Sequence, residues 1–179
     1  MKLITTCLLI ILLVGNSLAQ NVFRDDEGIA YVHSGISGDE IASINNQVKG
    51  GINVKNGRVA FVMALSGFKF RNSQTEKMLS NYYLEFDKYP RVLFKGQITY
   101  PDNNMNLNQP GSYSAEVVGE IEFHGVRKEI VTEIFFVVSS SGLAANATFD
   151  LSIDEFGISK KNMPTEITPD LEIRTSFIF

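Results

Sequence analysis

The sequence predicts an all-β protein, because apolar and polar residues alternate with a period of two along most of the chain. Short turn signals separate the alternating runs, and only residues 73–84 have the three-to-four spacing of a helix. Strands that follow one another through tight turns, with one helical insert, favour a closed antiparallel barrel or a sandwich.

Residues 1–19 are interpreted as a cleaved signal peptide. Lys2 precedes an apolar run over residues 3–14, and residues 17–19 (Ser-Leu-Ala) have the small-x-small form that signal peptidase accepts. The apolar run has about 12 residues, whereas a membrane-spanning helix needs roughly 20. The sequence therefore predicts an exported protein with no stable membrane anchor, whose single folded domain is residues 20–179.

The mature part is mildly acidic and contains no cysteine, because Cys7 lies within the signal peptide. The formal net charge is −4 for the whole chain and becomes −5 when Lys2 is removed with the signal peptide. An acidic chain without a basic run is a poor partner for nucleic acid or for anionic membrane surfaces. The lack of cysteine excludes disulfides and thiolate chemistry in the mature fold.

Nine strand-like runs are predicted, of which the second is weak and could merge with the first or the third. They lie near residues 28–36, 40–46, 47–55, 58–70, 91–100, 112–124, 126–138, 143–154 and 171–179. The clearest run, residues 112–124, has Glu116, Glu120 and Glu122 on one face, and the other face carries no carboxylate. The face without carboxylates is expected to be buried.

Glycine-containing turns are predicted between the runs. Asn56-Gly57 and His124-Gly125 are typical of two-residue hairpin turns, since glycine adopts positive φ freely and Asn and His tolerate it. Residues 139–142 predict another hairpin, and a longer loop contains Asn103-Asn104. The helix is expected to begin at Ser73, with Glu76 completing a capping box.

No motif for hydrolysis, phosphate binding or dinucleotide binding occurs in the sequence. His33 and His124 are the only histidines, so a three-histidine metal site is impossible, and neither a metal nor a cofactor is predicted. A turn role is predicted for His124 and a strand-surface or hydrogen-bonded role for His33. The carboxylate pairs at 154–155 and at 85 and 87 lie where elements end, which is typical of solvated side chains, so no enzyme is predicted.

Three segments of the chain are similar to one known family. Residues 70–98 combine a strand, a short helix and a Tyr-Pro-x-x-x-Phe start of the next strand at 89–94. Residues 119–128 end a strand in a His-Gly turn followed by Val-x-Lys, and residues 149–158 lead into Asp-Glu-Phe-Gly-Ile. In this order and spacing, the segments resemble the YceI-like family of polyisoprenoid-binding proteins.

The resemblance implies an eight-stranded antiparallel barrel of lipocalin-like shape that holds a long isoprenoid in its lumen. It also implies a bacterial periplasmic or secreted setting and no established catalytic residue. True lipocalins fit less well, because their early Gly-x-Trp signature requires a tryptophan and this chain has none. The predicted fold class is therefore a single closed antiparallel barrel of about eight strands with one short helix near residues 73–84.

The predicted function is that of an exported carrier or sequestering protein for a long apolar lipid of the polyisoprenoid type. Six residues on the apolar sides of their runs are expected to line the lumen: Phe61, Met63, Phe94, Ile98, Val117 and Ile121. The alternative is a non-catalytic structural or interaction domain with a filled core. The sequence leaves the oligomeric state open, a homodimer included.

Overall fold

A computed structural model describes residues 21–33, 41–70, 73–99, 105–159 and 170–179 of the chain. The predicted signal peptide and the turn at residues 103–104 lie outside these ranges. The described elements are β1 (Val22–His33), β2 (Ile41–Asn53), β3 (Arg58–Ala64), β4 (Phe68–Phe70), α1 (Ser73–Met78), β5 (Arg91–Thr99), β6 (Gly111–Phe123), β7 (Val126–Ser139), β8 (Gly142–Ser152) and β9 (Asp170–Ile178).

Eight strands form a closed antiparallel barrel. Their order is β1-β9-β8-β7-β6-β5-β3-β2, and β2 pairs with β1 to complete the ring. The short β4 pairs with the first part of β2, beyond the end of β3. The predicted all-β barrel of about eight strands is thus confirmed, and the sandwich that the alternation alone left open is not the fold.

Two of the predicted strand bounds were wrong. β1 begins at Val22, six residues before the predicted start, and the run predicted at 58–70 is interrupted by a 3-10 turn at Leu65–Gly67. The weak run at 40–46 merges with the run at 47–55 into β2, which is one of the two mergers that the sequence left open. At the 3-10 turn Gly67 lies against the side chain of Asn45, whose Nδ2 donates a hydrogen bond to the Ala64 carbonyl at 2.7 Å. The pattern of burial changes parity at the turn, because Leu65 and Gly67 continue the odd-numbered buried positions of β3, whereas Phe68 is buried and Lys69 is exposed.

The predicted helix is confirmed, since α1 begins at Ser73 and continues into a π-helical turn at Leu79–Tyr83. The His124-Gly125 turn is confirmed as well, with φ values of 50° and 76°. The turn predicted at Asn56-Gly57 is wider than two residues. Asn53 pairs with Arg58, which leaves four residues between β2 and β3.

The two ends of the barrel differ in how they are filled. The lower end carries the His124-Gly125 turn and the 3-10 turns at Leu65–Gly67 and Ile153–Phe156, whose apolar side chains are buried. Phe156 packs on Phe123 there, with ring centroids 5.3 Å apart. The upper end carries the β2–β3 and β7–β8 turns and the end of β9, and the rings of the candidate site lie in this half.

Candidate functional site

The interior of the barrel is apolar and continuous. All six residues predicted to line the lumen are buried, with exposed fractions between 0 and 7%: Phe61, Met63, Phe94, Ile98, Val117 and Ile121. They belong to one hydrophobic core that includes residues from every barrel strand. Their burial places them inside the barrel, and their contact with a ligand stays a prediction.

Phenylalanine rings fill the upper half of the lumen. The centroids of Phe61, Phe94 and Phe149 are 5.2 Å apart in each pairwise combination, with one stacked pair and two edge-on pairs. Phe177 extends this cluster at 6.4 Å from Phe61 and stacks on Phe179 at 5.8 Å. Such separations are typical of favourable aromatic contacts.

A narrow cavity of about 30 Å³ remains among these rings. Of the six predicted residues, Phe61, Phe94 and Val117 line it, whereas the other three pack elsewhere in the core. A single water molecule requires roughly 10–15 Å³ of such volume, so the cavity has room for one or two waters. A lipid chain can therefore occupy the lumen only if some of the rings move.

Most of the cavity lining that the prediction omitted comes from the last three strands. These residues are Thr132, Ile134, Phe136, Ala145, Ala147, Phe149, Thr175 and Phe177. The alternating pattern indicates that each faces inward, but it does not rank one inward residue above another. The lining, as far as the structure describes it, includes no titratable side chain. The hydroxyls of Thr132 and Thr175 donate hydrogen bonds to the carbonyls of Thr148 and Ala147.

Two rings lie flat against glycines of the barrel wall. A Cβ atom placed on Gly28 would lie 2.5 Å from the Phe177 ring, and one placed on Gly50 would lie 2.4 Å from it. A Cβ atom on Gly119 would lie 2.6 Å from the Lys95 carbonyl oxygen and 2.7 Å from the ring of Phe94. Gly28 and Gly50 therefore leave space for an aromatic ring, and Gly119 leaves space for the backbone of β5 as well as for a ring.

A second cluster surrounds His124 at the lower end, outside the lumen. Its Nε2 lies 3.2 Å from Oε2 of Glu85, and its Nδ1 lies 3.3 Å from the Phe156 carbonyl oxygen. Its ring also packs on Tyr89 at a centroid distance of 4.2 Å. A hydrogen bond to Tyr89 and the negative charge of Glu85 raise the pKa of Lys88 above its ordinary value. The sequence predicted the turn but not these contacts.

The carboxylates considered from the sequence for acid–base chemistry lie at the surface or in this cluster. Glu155 forms an ion pair with Lys128 at 3.0 Å, and Glu85 lies 3.7 Å from Lys88. Among the residues that the structure describes, no three His, Cys, Asp or Glu side chains come together as a metal site. Within the same residues, no helix has the length and apolarity needed to cross a membrane.

Comparison with known proteins identifies a family and a fold. The profile of the YceI-like domain family matches residues 27–179. A comparison with curated proteins finds no significant match. Among solved structures, the fold is similar to a polyisoprenoid-binding domain from Saccharophagus degradans implicated in plant cell wall breakdown, at 11% identity and a TM-score of 0.69. The match covers 88% of this chain and 97% of that domain.

Two other structures have the same fold. BcnA from Burkholderia cenocepacia is 8% identical, with a TM-score of 0.66, and the match covers 87% of this chain and 96% of that one. The YCEI protein of Campylobacter jejuni is 12% identical, with a TM-score of 0.63 and coverage of 82% and 87%. At these identities the likeness is evidence for the fold alone.

Proposed function

The chain belongs to the YceI-like family, and from this premise we propose that it binds a long apolar lipid inside its barrel. The observation that carries the proposal is a closed barrel around a cavity that aromatic and aliphatic side chains line and whose described lining has no titratable group. A polyisoprenoid is the favoured class of lipid. The similar domain from Saccharophagus degradans, described as polyisoprenoid-binding, supports this choice.

The affinity would come from burial of hydrocarbon. Each buried CH₂ group contributes about 0.8 kcal/mol, and this contribution has no preferred direction. Since the two threonine hydroxyls at the cavity are already bonded to backbone carbonyls, specificity would depend on the length and girth of the chain. The role proposed is binding without catalysis.

The carrier would act outside the cytoplasm. Residues 1–19 have the basic start, apolar core and small-residue ending of a signal peptide, and this pattern supports a periplasmic or secreted location. Export would bring the barrel to the compartment in which it meets its lipid. An apolar lipid is the proposed partner, and the sequence leaves the oligomeric state open, a homodimer included.

One observation favours the second candidate function, a structural or interaction domain with a filled core. The cavity among the described rings has a volume of only about 30 Å³, and the stacked phenylalanines beside it pack at ordinary aromatic distances. The two functions differ in whether these rings leave their places. In a carrier they are displaced by the lipid, whereas in a filled core they stay fixed.

A matched pair of variants separates the two functions. Val117 lines the cavity, whereas Val118 follows it on the outer face of β6. The test is native mass spectrometry of the exported protein after incubation with geranylgeraniol. If the protein is a carrier, we expect lipid adducts on the wild type and on Val118→Phe. The Val117→Phe variant should then be folded but carry no adduct. The filled core predicts no adduct on the wild type and a loss of roughly 1–3 kcal/mol of stability in Val117→Phe.

A further inference from the structure

The strands β1 and β9 are joined by backbone pairing along only part of their length. The ladder pairs residues 29–33 of β1 with residues 172–176 of β9. Residues 22–25 and Gly28 of β1 pair with β2, and the described ladder between β1 and β9 does not extend beyond Ile29 and Ser176. The boundary between residues 22–28 and residues 177–179 is the upper seam of the barrel.

One carboxylate takes the place of the missing ladder. The backbone N–H of Ile178 donates a hydrogen bond to Oδ2 of Asp25 at 2.9 Å. The other oxygen, Oδ1, accepts a hydrogen bond from the backbone N–H of Glu27 at 2.8 Å, which orients the carboxylate. The register of β1 against β2 shifts between Asp25 and Gly28, a bulge that bends the strand. A single side chain therefore fastens the end of β9 across the seam.

A row of rings fills the seam from its outer end to the cavity. Phe23 of β1 meets Phe179 edge-on at 6.4 Å, and Phe179 stacks on Phe177 at 5.8 Å. Both Phe177 and Phe179 line the cavity. Phe177 lies in the recess that Gly28 and Gly50 leave in the wall. Aromatic side chains, and not backbone pairing, thus close the seam.

The opposite side of the same segment is fastened by its backbone. The N–H of Phe179 donates to the Leu143 carbonyl at 2.7 Å, and the N–H of Leu143 donates back to the Phe179 carbonyl at 3.2 Å. Phe177 and Ile178 continue this pairing with β8. Separation of residues 177–179 from β1 would break one carboxylate bond and ring contacts, whereas their separation from β8 would break backbone pairing.

We propose that the upper seam is where a lipid chain passes into the lumen, with Phe177 as its gate. The inference rests on the proposed lipid binding. When the Phe177 ring leaves the recess of Gly28 and Gly50, it opens the seam and vacates space beside the cavity in one movement. The chain can then lie along a wall without side chains. The Asp25 carboxylate sets how often the seam opens.

The first test uses two neighbouring surface residues. Asp25 holds the Ile178 N–H, whereas Asp26 pairs with Lys49 at 3.4 Å. The measurement is stopped-flow fluorescence of N-phenyl-1-naphthylamine binding to the mature chain. We expect Asp25→Ala to raise the association rate about tenfold, because uptake is limited by opening, and Asp26→Ala to leave it unchanged. Equal association rates for Asp25→Ala and Asp26→Ala would contradict the proposed gate.

The second test removes ring atoms at two places in one cavity. Phe177 and Phe149 both line the cavity, but only Phe177 lies at the seam. We expect Phe177→Leu to raise the association and dissociation rates of the dye together by about fivefold, because the smaller side chain blocks the seam less in both directions. Phe149→Leu should change the bound fraction and leave the association rate as it is. A larger rate effect from Phe149→Leu would contradict the assignment.

Displacement by geranylgeraniol distinguishes failure of the gate from failure of the proposed function. If the dye is displaced from the wild type while Asp25→Ala and Phe177→Leu bind at the wild-type rate, the lumen binds lipid and the gate is wrong. If the wild type neither binds the dye nor retains geranylgeraniol, both the proposed function and the gate are wrong. Near-ultraviolet circular dichroism of each variant checks that the core is intact.

Discussion

The ring of Phe177 occupies the space that a side chain on Gly50 would need. A Cβ atom on Gly50 would lie 2.4 Å from Cε1 of that ring, well inside any contact that real atoms make. The two residues belong to β9 and β2, strands separated by β1, whose Gly28 also lacks a side chain. The ring therefore lies across three strands, and this is possible only because two of them carry glycine.

Replacement of Gly50 by alanine should displace the Phe177 ring. Since the added methyl group overlaps a packed ring, we expect Gly50→Ala to destabilise the protein by roughly 1–3 kcal/mol in chemical denaturation. The matched control is Gly51→Ala. Its Cβ would point outward, with its nearest neighbour the Phe23 carbonyl oxygen at 3.3 Å, so we expect a change within about 1 kcal/mol.

The double variant Gly50→Ala with Phe177→Leu checks the cause of this loss. If the ring is responsible, the double variant should be more stable than the sum of the single changes predicts, by roughly 1 kcal/mol or more. Strict additivity would show that the cost of Gly50→Ala arises from the strand itself and not from the ring.

Gly125 and Gly157 have nearly the same φ, so alanine variants at these two positions distinguish the cost of a left-handed backbone from the cost of steric overlap. Gly125 has φ 76° and its Cβ would lie 2.8 Å from the Tyr89 ring, whereas Gly157 has φ 71° and no neighbour within 4 Å. We expect Gly157→Ala to cost about 1 kcal/mol for the left-handed conformation alone. Gly125→Ala should cost more, by roughly 1 kcal/mol, because of the added overlap.

The Tyr89→Ala background tests that comparison. Without the ring, both glycines face only the conformational cost, so thermal denaturation should give the two alanine variants equal losses. A difference that persists in this background would mean that the β6–β7 turn constrains Gly125 through contacts other than Tyr89.

The imidazole of His124 should stabilise the lower end of the barrel. Asparagine tolerates the same positive φ, so His124→Asn removes the contacts with Glu85, Tyr89 and the Phe156 carbonyl and keeps the turn. We expect a loss of about 1 kcal/mol in urea denaturation. A cycle with Glu85→Gln should show a coupling of roughly 0.5–1 kcal/mol. A neutral His124→Asn without coupling would restrict the role of His124 to its backbone.

The mass of the exported protein tests the signal peptide. Cleavage after Ala19 should leave Gln20 as the first residue, and cyclisation of this glutamine would lower the mass by one ammonia. Intact-mass spectrometry of the extracytoplasmic fraction measures this directly. Soluble protein that still contains residues 1–19 would contradict both the cleavage site and the proposed location.

The sequence predicted the elements well because burial of one face imposes a period of two on every barrel strand. Residues 112–124 show this most clearly, and their pairing in the β6–β7 hairpin matches the prediction. The prediction failed at Leu65–Gly67, where a 3-10 turn shifts the alternation by one residue, so that Phe68 is buried and Lys69 is exposed. It also failed to single out Phe177 as a cavity residue, since the pattern of β9 gives all its inward residues equal weight.

By itself the sequence determined which face is buried where apolar and polar residues alternate strictly, as in residues 112–124, because burial of one face imposes a period of two. The tertiary structure alone decided how full the interior is. That volume depends on which rings meet across strands distant in the chain, as Phe61, Phe94 and Phe149 do. It depends equally on glycines such as Gly28 and Gly50, which make room for a ring from a third strand. Packing of this kind is a property of the closed barrel, and no single strand encodes it.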